Sequence, residues 1–337
     1  MRENILSNTA AAFPPPLLGE VTRTPSSRTR LIILSALALI AVAAFMTIGV
    51  KNWGYSLPFR GTKVLSMALV GYAVALSTVL FQTVTHNRIL TPSIMGFDVL
   101  YQLVQTTLVF TLGGFAYSTL DPQLRFALDV TVMVVASMVL FRWMFGARRS
   151  LHLMVLVGIV FGVFFRSLTN LMQRLIAPND FAVLQDAMFG TFNGIDTSLL
   201  LVSFIAIAGV SLVAWRIGHT FDVLALGREV AINLGLPYER TVMIILALVS
   251  VLVSVSTALV GPITFFGLLV ASLAHLIMGS SRHRHILPAA ALLSVICLVG
   301  GQTVLERVFS FNTALSIIIE FAGGVVFILL LLRGAAR

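Results

Sequence analysis

Charged residues are scarce in this chain of 337 residues. Only 10% of them are Asp, Glu, Lys or Arg, whereas 58% are hydrophobic and the mean hydropathy is +1.01. A soluble domain of this length needs far more charge to cover its surface, so the composition excludes that class. The apolar residues occur in runs of about 18–22, a length that crosses a bilayer core as a helix. The composition therefore predicts an integral membrane protein.

Cysteine and the common nucleotide and metal motifs are also scarce. Cys297 is the single cysteine, which excludes an intramolecular disulfide, and it lies in an apolar run where it is predicted to pack as a small core residue. No GxxxxGK[ST] phosphate loop occurs, so if the protein's function requires ATP hydrolysis, a partner chain must carry it out. His283 and His285 form an H-x-H pattern, but Arg282 and Arg284 flank them and no cysteine or carboxylate is adjacent. We therefore predict neither a metal site nor a cofactor.

The chain is predicted to be all-α, with a flexible cytoplasmic tail over residues 1–30 and a membrane domain over residues 31–335. The 22 Lys and Arg residues exceed the 13 acidic residues, but they are spread over short connections, which argues against a nucleic-acid partner. With ten spans both termini share one side, and the orientation that places 15 of the 22 basic residues inside puts them in the cytoplasm. The spans are predicted at about 31–50, 64–84, 94–112, 126–145, 151–172, 198–215, 241–259, 262–279, 287–304 and 313–332.

Two connections, 173–197 and 216–240, are too long to be simple turns. The first has enough apolar residues for a short helix near the outer membrane surface. The second contains "GREVAINLGLPYERT" (227–241), whose four charged residues would each cost about 2.5–3.5 kcal/mol near the bilayer centre. It predicts a short cytoplasmic helix in which Val230, Ala231 and Leu234 share a face. Such a helix is either an ordinary interfacial loop or a docking surface for a soluble partner.

The stretch "LGREVAINLG" (226–235) resembles the coupling-helix motif of permease subunits in BtuC-like type II ABC importers, the FecCD family for iron–siderophore, haem and vitamin B12 uptake. Arg228 departs from the acidic residue usual at its position, whereas the matching positions are Leu226, Gly227, Glu229, Ala231, Leu234 and Gly235. The segments 261–279, 285–293 and 69–96 also resemble family signatures, and ten spans is the family's number. The sequence departs from the family pattern at two places: Ala271-Ser272 stands where a Pro-His pair is common, and Gln302 stands where an Asp is common. The form of the C-terminal third is similar to the catecholate or petrobactin-type branch.

The resemblance implies a permease subunit in a bacterial inner membrane. Its partners would be a second permease (a paralogue or a copy), two ABC ATPases at a coupling helix over about 226–236, and a periplasmic or lipoprotein binding protein that delivers a ferric siderophore. Basic residues that would grip the binding protein are Arg60, Lys63 and Arg307. The fifth span and its extension would line the path, with Met154, Phe161, Phe165, Asn170, Met172 and Gln173 as candidates.

Four ionisable residues fall within predicted spans: Asp98, Asp129, Arg166 and Glu320. Such groups usually face protein or a cavity, so we predict that Arg166 pairs with Asp129 or Glu320 as structural glue, and that Asp98 favours the positive end of its helix. Alternative functions are a haem or vitamin B12 permease of the same family, a secondary transporter in which these four residues form a proton relay, and a membrane-embedded enzyme.

Overall fold

The computed structural model describes residues 26–50, 53–145, 151–189, 191–193, 195–308 and 314–332, and within them the backbone forms fourteen helices and no strand. In chain order these are α1 (Ser27–Thr47), α2 (Trp53–Thr85), α3 (Phe97–Leu112), α4 (Gly114–Thr119), α5 (Pro122–Phe145), α6 (Leu151–Leu175), α7 (Pro178–Met188), α8 (Thr197–Arg216), α9 (Gly218–Leu224), α10 (Arg228–Asn233), α11 (Tyr238–Val260), α12 (Phe266–Met278), α13 (His283–Arg307) and α14 (Leu315–Leu332).

The all-α prediction is confirmed, and each of the ten predicted spans corresponds to one helix. In the described part of the chain, seven helices are long and apolar enough to cross a membrane, and α3, α12 and α14 are shorter apolar helices. The remaining four, α4, α7, α9 and α10, lie in the connections between spans. The predicted tail boundary at residue 30 is wrong, because α1 begins at Ser27, where the Ser26 hydroxyl accepts a hydrogen bond from the Thr29 N–H at 3.2 Å. Residues 1–25 of that tail lie outside the described residues.

Two of the shorter helices are preceded by buried irregular backbone. At 1.5 Å per residue, α3 is about 24 Å long and α12 about 20 Å, less than the bilayer core of about 30 Å. Thr91 and Pro92 before α3, and residues 261–263 before α12, are buried in the protein. Non-helical backbone at membrane depth is tolerated when protein covers it, so these segments complete the two short spans.

Helix α2 lies between two hydrophobic clusters and contributes to both. One cluster joins α2 to α3, α5, α8, α9, α10 and α11, and the other joins it to α1, α12, α13 and α14. The antiparallel pair α2 and α13 forms the most extensive helix–helix contact among the described elements. The two clusters are therefore held together along the length of α2.

As small residues, Gly158, Gly162, Gly267, Gly323 and Gly324 are predicted to permit close helix packing, and four of them do so, at three helix approaches. A Cβ at Gly158 would meet Met95, one at Gly267 would meet the Thr78 hydroxyl, and one at Gly323 would lie 3.1 Å from Phe265. Gly162 faces Gly96, whose φ of +104° is in the region that favours glycine. Gly324, predicted to act in the same way, has open space around it.

The bundle has two distinct ends. At the arginine end, α1 and α13 finish and α2 begins, and Arg60 and Arg307 meet there. At the α10 end, α2 finishes, α13 begins, and α9 and α10 cover the helix termini. The predicted surface helix in the connection 173–197 is α7, which packs against α4 at the C-terminal ends of α3 and α6.

Candidate functional site

The predicted coupling segment is a six-residue helix, α10, bounded by two glycines. Gly227 precedes it with φ +101° and Gly235 follows it with φ +84°. Residues with a side chain rarely adopt these backbone conformations. The Gly235 N–H donates to the Ile232 carbonyl at 2.9 Å, and the Leu236 N–H donates to the Ala231 carbonyl at 3.0 Å. These bonds satisfy the last carbonyls of the helix and turn the chain into α11. The helix therefore ends where Gly235, followed by Pro237, predicts that it should.

Apolar side chains fix α9 and α10 to the bundle. Phe221 and Leu224 of α9 and Ala231 of α10 are fully or almost fully buried. The Arg228 guanidinium lies 5.8 Å from the centre of the Tyr238 ring at the start of α11, a cation–π contact. The element is therefore attached firmly to the membrane helices on either side.

Of the three residues predicted to share a face of this segment, only Ala231 is buried. Val230 and Leu234 are 45% and 63% exposed, and their spacing of four residues places them on one side of the segment. Leu226, which precedes the helix, is 59% exposed. Glu229 is exposed nearby. A helix of about one and a half turns can bury only one small side chain, which here is Ala231. The larger apolar residues therefore face outward and form an apolar patch with charged residues at its edge. Such a surface is typical of a protein-docking site.

A histidine side chain links this segment to two membrane helices. His283 Nδ1 lies 2.7 Å from Asp222 Oδ1 on α9, and His283 Nε2 lies 2.7 Å from Thr83 Oγ1 near the end of α2. The His283 backbone N–H also donates to Asp222 Oδ1 at 3.0 Å. We call this arrangement the His283 bridge. Burial raises the pKa of Asp222, but the hydrogen bonds and charge of His283 outweigh it and hold the pKa below its usual range. No local sequence pattern indicates this contact, because Thr83 and His283 are 200 residues apart.

At the arginine end, two of the three predicted docking residues meet at the C-terminus of α1. Arg60 Nη1 donates to the carbonyls of Phe45 at 2.6 Å and Ile48 at 3.0 Å, and Arg307 also donates to the Ile48 carbonyl. Cations are stabilised at a helix C-terminus by its free carbonyls and dipole. Arg307 is exposed and Arg60 half-buried, so positive charge is concentrated at this surface.

Lys63, the third predicted docking residue, lies inside the bundle instead. It is 5% exposed, and its Nζ pairs with Glu306 Oε1 at 3.1 Å. Gln302 Nε2 donates to the same carboxylate oxygen at 3.0 Å. The docking role of Lys63 is therefore wrong: helix α2 turns this side chain toward α13, where an ion pair compensates the burial of both charges.

Most of the predicted path residues on α6 pack within the chain. Phe161 and Phe165 line a small cavity shared with α3 and α5, and the Met172 and Gln173 side chains contact Thr107 and Met188. Asn170 alone among the described candidates is exposed. The Met154 side chain lies outside the described residues. The exposed face of α6 instead contains Val160, Val163, Ser167 and Asn170.

The predicted pairing of Arg166 is wrong. Arg166 is exposed on α6, and in the described part of the chain no ion pair joins it to Asp129 or Glu320. Asp129 accepts a hydrogen bond from Gln105 at 2.7 Å, and Gln105 accepts one from the Tyr117 hydroxyl at 2.6 Å. Gln105 on α3, held in place by Tyr117 on α4, therefore compensates one oxygen of the buried carboxylate, whereas Asp129 Oδ1 has no hydrogen-bond partner among the described residues.

The other two intramembrane carboxylates, the buried Asp98 and the half-buried Glu320, lie together, apart from Asp129. Glu320 lies 3.5 Å from the Thr264 backbone N–H, and Asp98 lies beside the hydroxyls of Thr264 and Ser93. As predicted, Asp98 is in the first turn of α3. The four intramembrane charges therefore fall into three separate places, and the described residues form no continuous proton relay.

Comparison with known proteins agrees with this architecture. The chain is 46% identical over 308 residues to the petrobactin import permease YclO of Bacillus subtilis, covering 91% of this chain and 98% of that protein. It is 36% identical over 278 residues to the petrobactin import permease FatC of Bacillus anthracis, covering 82% and 78%. A solved structure of an inward-facing metal-chelate type ABC transporter has the same fold, with a TM-score of 0.79, 20% identity, and coverage of 91% of this chain and 100% of that one.

The family model of the FecCD transport family matches residues 31–333, almost the whole predicted membrane domain. This match confirms the resemblance drawn from the coupling-helix motif, and the chain is a multi-pass membrane protein. Together with the relatives and the fold, it establishes that this chain belongs to the FecCD transport family.

Proposed function

We propose that this chain is a permease subunit of an ABC importer that carries a ferric siderophore across the bacterial cytoplasmic membrane. Two partner ATPases drive the movement from below, a second permease (a paralogue of this chain) completes the path, and a binding protein delivers the cargo from outside. The observation that carries the proposal is α10: a rigid helix, fixed to the bundle, that presents an exposed apolar patch at one end.

The α10 end supports the ATPase-docking role. Leu226, Val230 and Leu234 offer apolar contact area, and Glu229 adds charge beside them. The Ala231 contact and the His283 bridge pass force from this patch to α2, α11 and α13. A push on α10 can therefore tilt whole membrane helices as rigid bodies.

The arginine end supports the binding-protein role. Arg60 and Arg307 place two guanidinium groups at one surface, and guanidinium is well suited to carboxylates on a partner. Lys63 acts as an internal support for this surface through Glu306. The two docking surfaces lie at opposite ends of the bundle, as transport coupled to an external binding protein and internal ATPases requires.

Orientation and cargo follow from the charges and the relatives. The positive-inside bias supports a cytoplasmic location for the α10 end and both termini. The relatives at 46% and 36% identity are named as petrobactin import permeases, whereas a vitamin B12 import permease is 27% identical, which favours a ferric catecholate-type siderophore over vitamin B12. The exposed α6 face around Ser167 and Asn170 is the proposed lining toward the second permease.

Reconstitution in proteoliposomes tests the proposal. With ATPase, second permease and binding protein present, ferric petrobactin should accumulate only when ATP is supplied on the α10 side. Accumulation driven by a proton gradient alone, without an ATPase, would refute the importer mechanism.

A matched pair of variants on α10 tests the docking surface. Val230→Asp places a charge in the apolar patch and should abolish co-purification of the ATPase, whereas Asn233→Asp adds the same charge at another exposed position and should retain it. If both variants lost the ATPase to the same extent, net charge rather than the apolar patch would control assembly of the permease with the ATPase.

Charge reversal at the arginine end tests binding-protein docking. Arg60→Glu should abolish uptake while the ATPase still assembles, and Arg174→Glu, an equal reversal at the outer end of α6, should leave uptake near normal. Arg60→Gln keeps a donor for the α1 carbonyls, so it separates loss of docking from loss of folding. Normal uptake by Arg60→Glu would contradict the docking role.

A further inference from the structure

A groove of about 590 Å³ lies between α2, α8, α9 and α13 at the α10 end. Its volume is within the range of about 300–1,000 Å³ that is usual for small-molecule sites. The proposed transport function does not use this groove.

The groove is divided by polarity along its depth. Its inner part is lined by Leu76 and Ala214, which are buried, and by Leu287 and Ala291, which are half-buried. These residues belong to the membrane-spanning lengths of α2, α8 and α13. The inner part therefore suits a hydrocarbon chain.

The mouth of the groove is polar and basic. Arg284 and His219 are exposed there, and Trp215, at the end of α8, is 80% exposed. Tryptophan at a helix end is favoured at the level of lipid headgroups. The one carboxylate at the mouth, Asp222, accepts two hydrogen bonds from His283. The Arg284 guanidinium is therefore available to bind an anion from outside the protein.

We propose that this groove binds one anionic phospholipid from the leaflet at the α10 end, with its phosphate at Arg284 and an acyl chain between α8 and α13. Charge complementarity selects the headgroup, since a basic residue near the membrane surface strengthens binding of an anionic lipid by about fivefold. The bound lipid lies beside the His283 bridge, so the lipid composition of the membrane can influence the coupling segment. The inference depends only on insertion in a membrane and not on the cargo or direction of transport.

Quenching of Trp215 fluorescence by brominated lipids tests the site. The full chain with Trp53→Phe and Trp143→Phe retains Trp215 as its single tryptophan. It is placed in phosphatidylcholine vesicles with rising fractions of phosphatidylglycerol or phosphatidylcholine brominated on the acyl chains. Half-maximal quenching should need about fivefold less brominated phosphatidylglycerol than brominated phosphatidylcholine.

Three variants and one competitor make the test specific. Arg284→Gln should bring the two quenching curves together, whereas Arg142→Gln, an equal charge loss at the exposed end of α5, should leave them apart. Ala291→Phe should reduce the maximum quenching by filling the apolar part. Coincident curves in the parent protein would overturn the proposal, and so would displacement by soluble glycerol phosphate, which would assign the groove to a free phosphate.

Discussion

Removal of the Thr83 hydroxyl is expected to weaken the connection between α9 and the membrane helices. Thr83 is buried, and its Oγ1 lies 2.7 Å from His283 Nε2. Thr83→Val keeps nearly the same shape but leaves the His283 ring nitrogen without its partner. Loss of a buried hydrogen bond with one group left unsatisfied costs about 1–3 kcal/mol. The unfolding temperature should fall by about 2 °C or more.

A neighbouring threonine provides the matched control. Thr83 Oγ1 also donates to the Val79 carbonyl at 2.8 Å, and Thr85 Oγ1 donates to the Phe81 carbonyl at 2.9 Å on the same helix. Thr85→Val removes an equivalent intrahelical bond without touching His283. It should therefore lower the unfolding temperature less than Thr83→Val does.

The other end of the bridge should respond together with Thr83. Asp222→Ala removes a carboxylate that accepts two hydrogen bonds, but this side chain is 48% exposed, so water replaces part of the loss and we expect about 1–2 kcal/mol. Because the lowered pKa keeps Asp222 ionised, its contribution is complete above the usual carboxyl pKa and is lost only as pH falls through the lowered value. The double variant should deviate from additivity by at least about 0.5 kcal/mol, since both residues act through His283.

The functional measurement is the ratio of siderophore transported to ATP hydrolysed in proteoliposomes. Thr83→Val should lower this ratio, because the ATPases still dock on α10 while α9 is less firmly joined to α2. If Thr83→Val and Thr85→Val give equal unfolding temperatures and equal transport ratios, the reasoning on the His283 bridge is refuted.

Two further substitutions test the packing of the bundle by thermal unfolding in detergent. Lys63→Met should destabilise the protein by about 3–5 kcal/mol, because it leaves the Glu306 carboxylate buried and unpaired, and adding Glu306→Gln should restore most of the loss. Stability unchanged by Lys63→Met would contradict the burial of this pair. Gly267→Ala should cost about 1–3 kcal/mol by contact with Thr78, whereas Gly324→Ala, with open space around it, should be neutral or stabilising by up to about 1 kcal/mol. The same sign for both glycine variants would show that close packing does not explain Gly267.

The helices and the coupling segment could be predicted because their signals are local. Long apolar runs predict all ten spans, and the predicted bounds of the coupling helix, about 226–236, agree with α10 to within three residues. The family resemblance was also carried by short contiguous motifs. Each of these features depends on residues that are neighbours in the sequence.

Side-chain partners could not be predicted, because they depend on how each helix is rotated. Lys63 meets Glu306 across 243 positions, and its rotation toward α13 is not encoded near residue 63. Arg166 is expected to need a carboxylate, yet Asp129 accepts a hydrogen bond from a glutamine instead and the arginine is exposed. On α10, the helix is too short for its periodicity to show that Ala231 alone is buried.

The antiparallel pair of α2 and α13 touches both proposed docking surfaces. Arg60 and Thr83 lie on the first helix, and His283 and Arg307 lie on the second. At 1.5 Å per residue each pair of residues is about 35 Å apart, more than the thickness of the hydrocarbon layer. Under the proposed function, binding-protein docking at the arginine end and ATP hydrolysis at the α10 end can thus be coupled directly through α2 and α13.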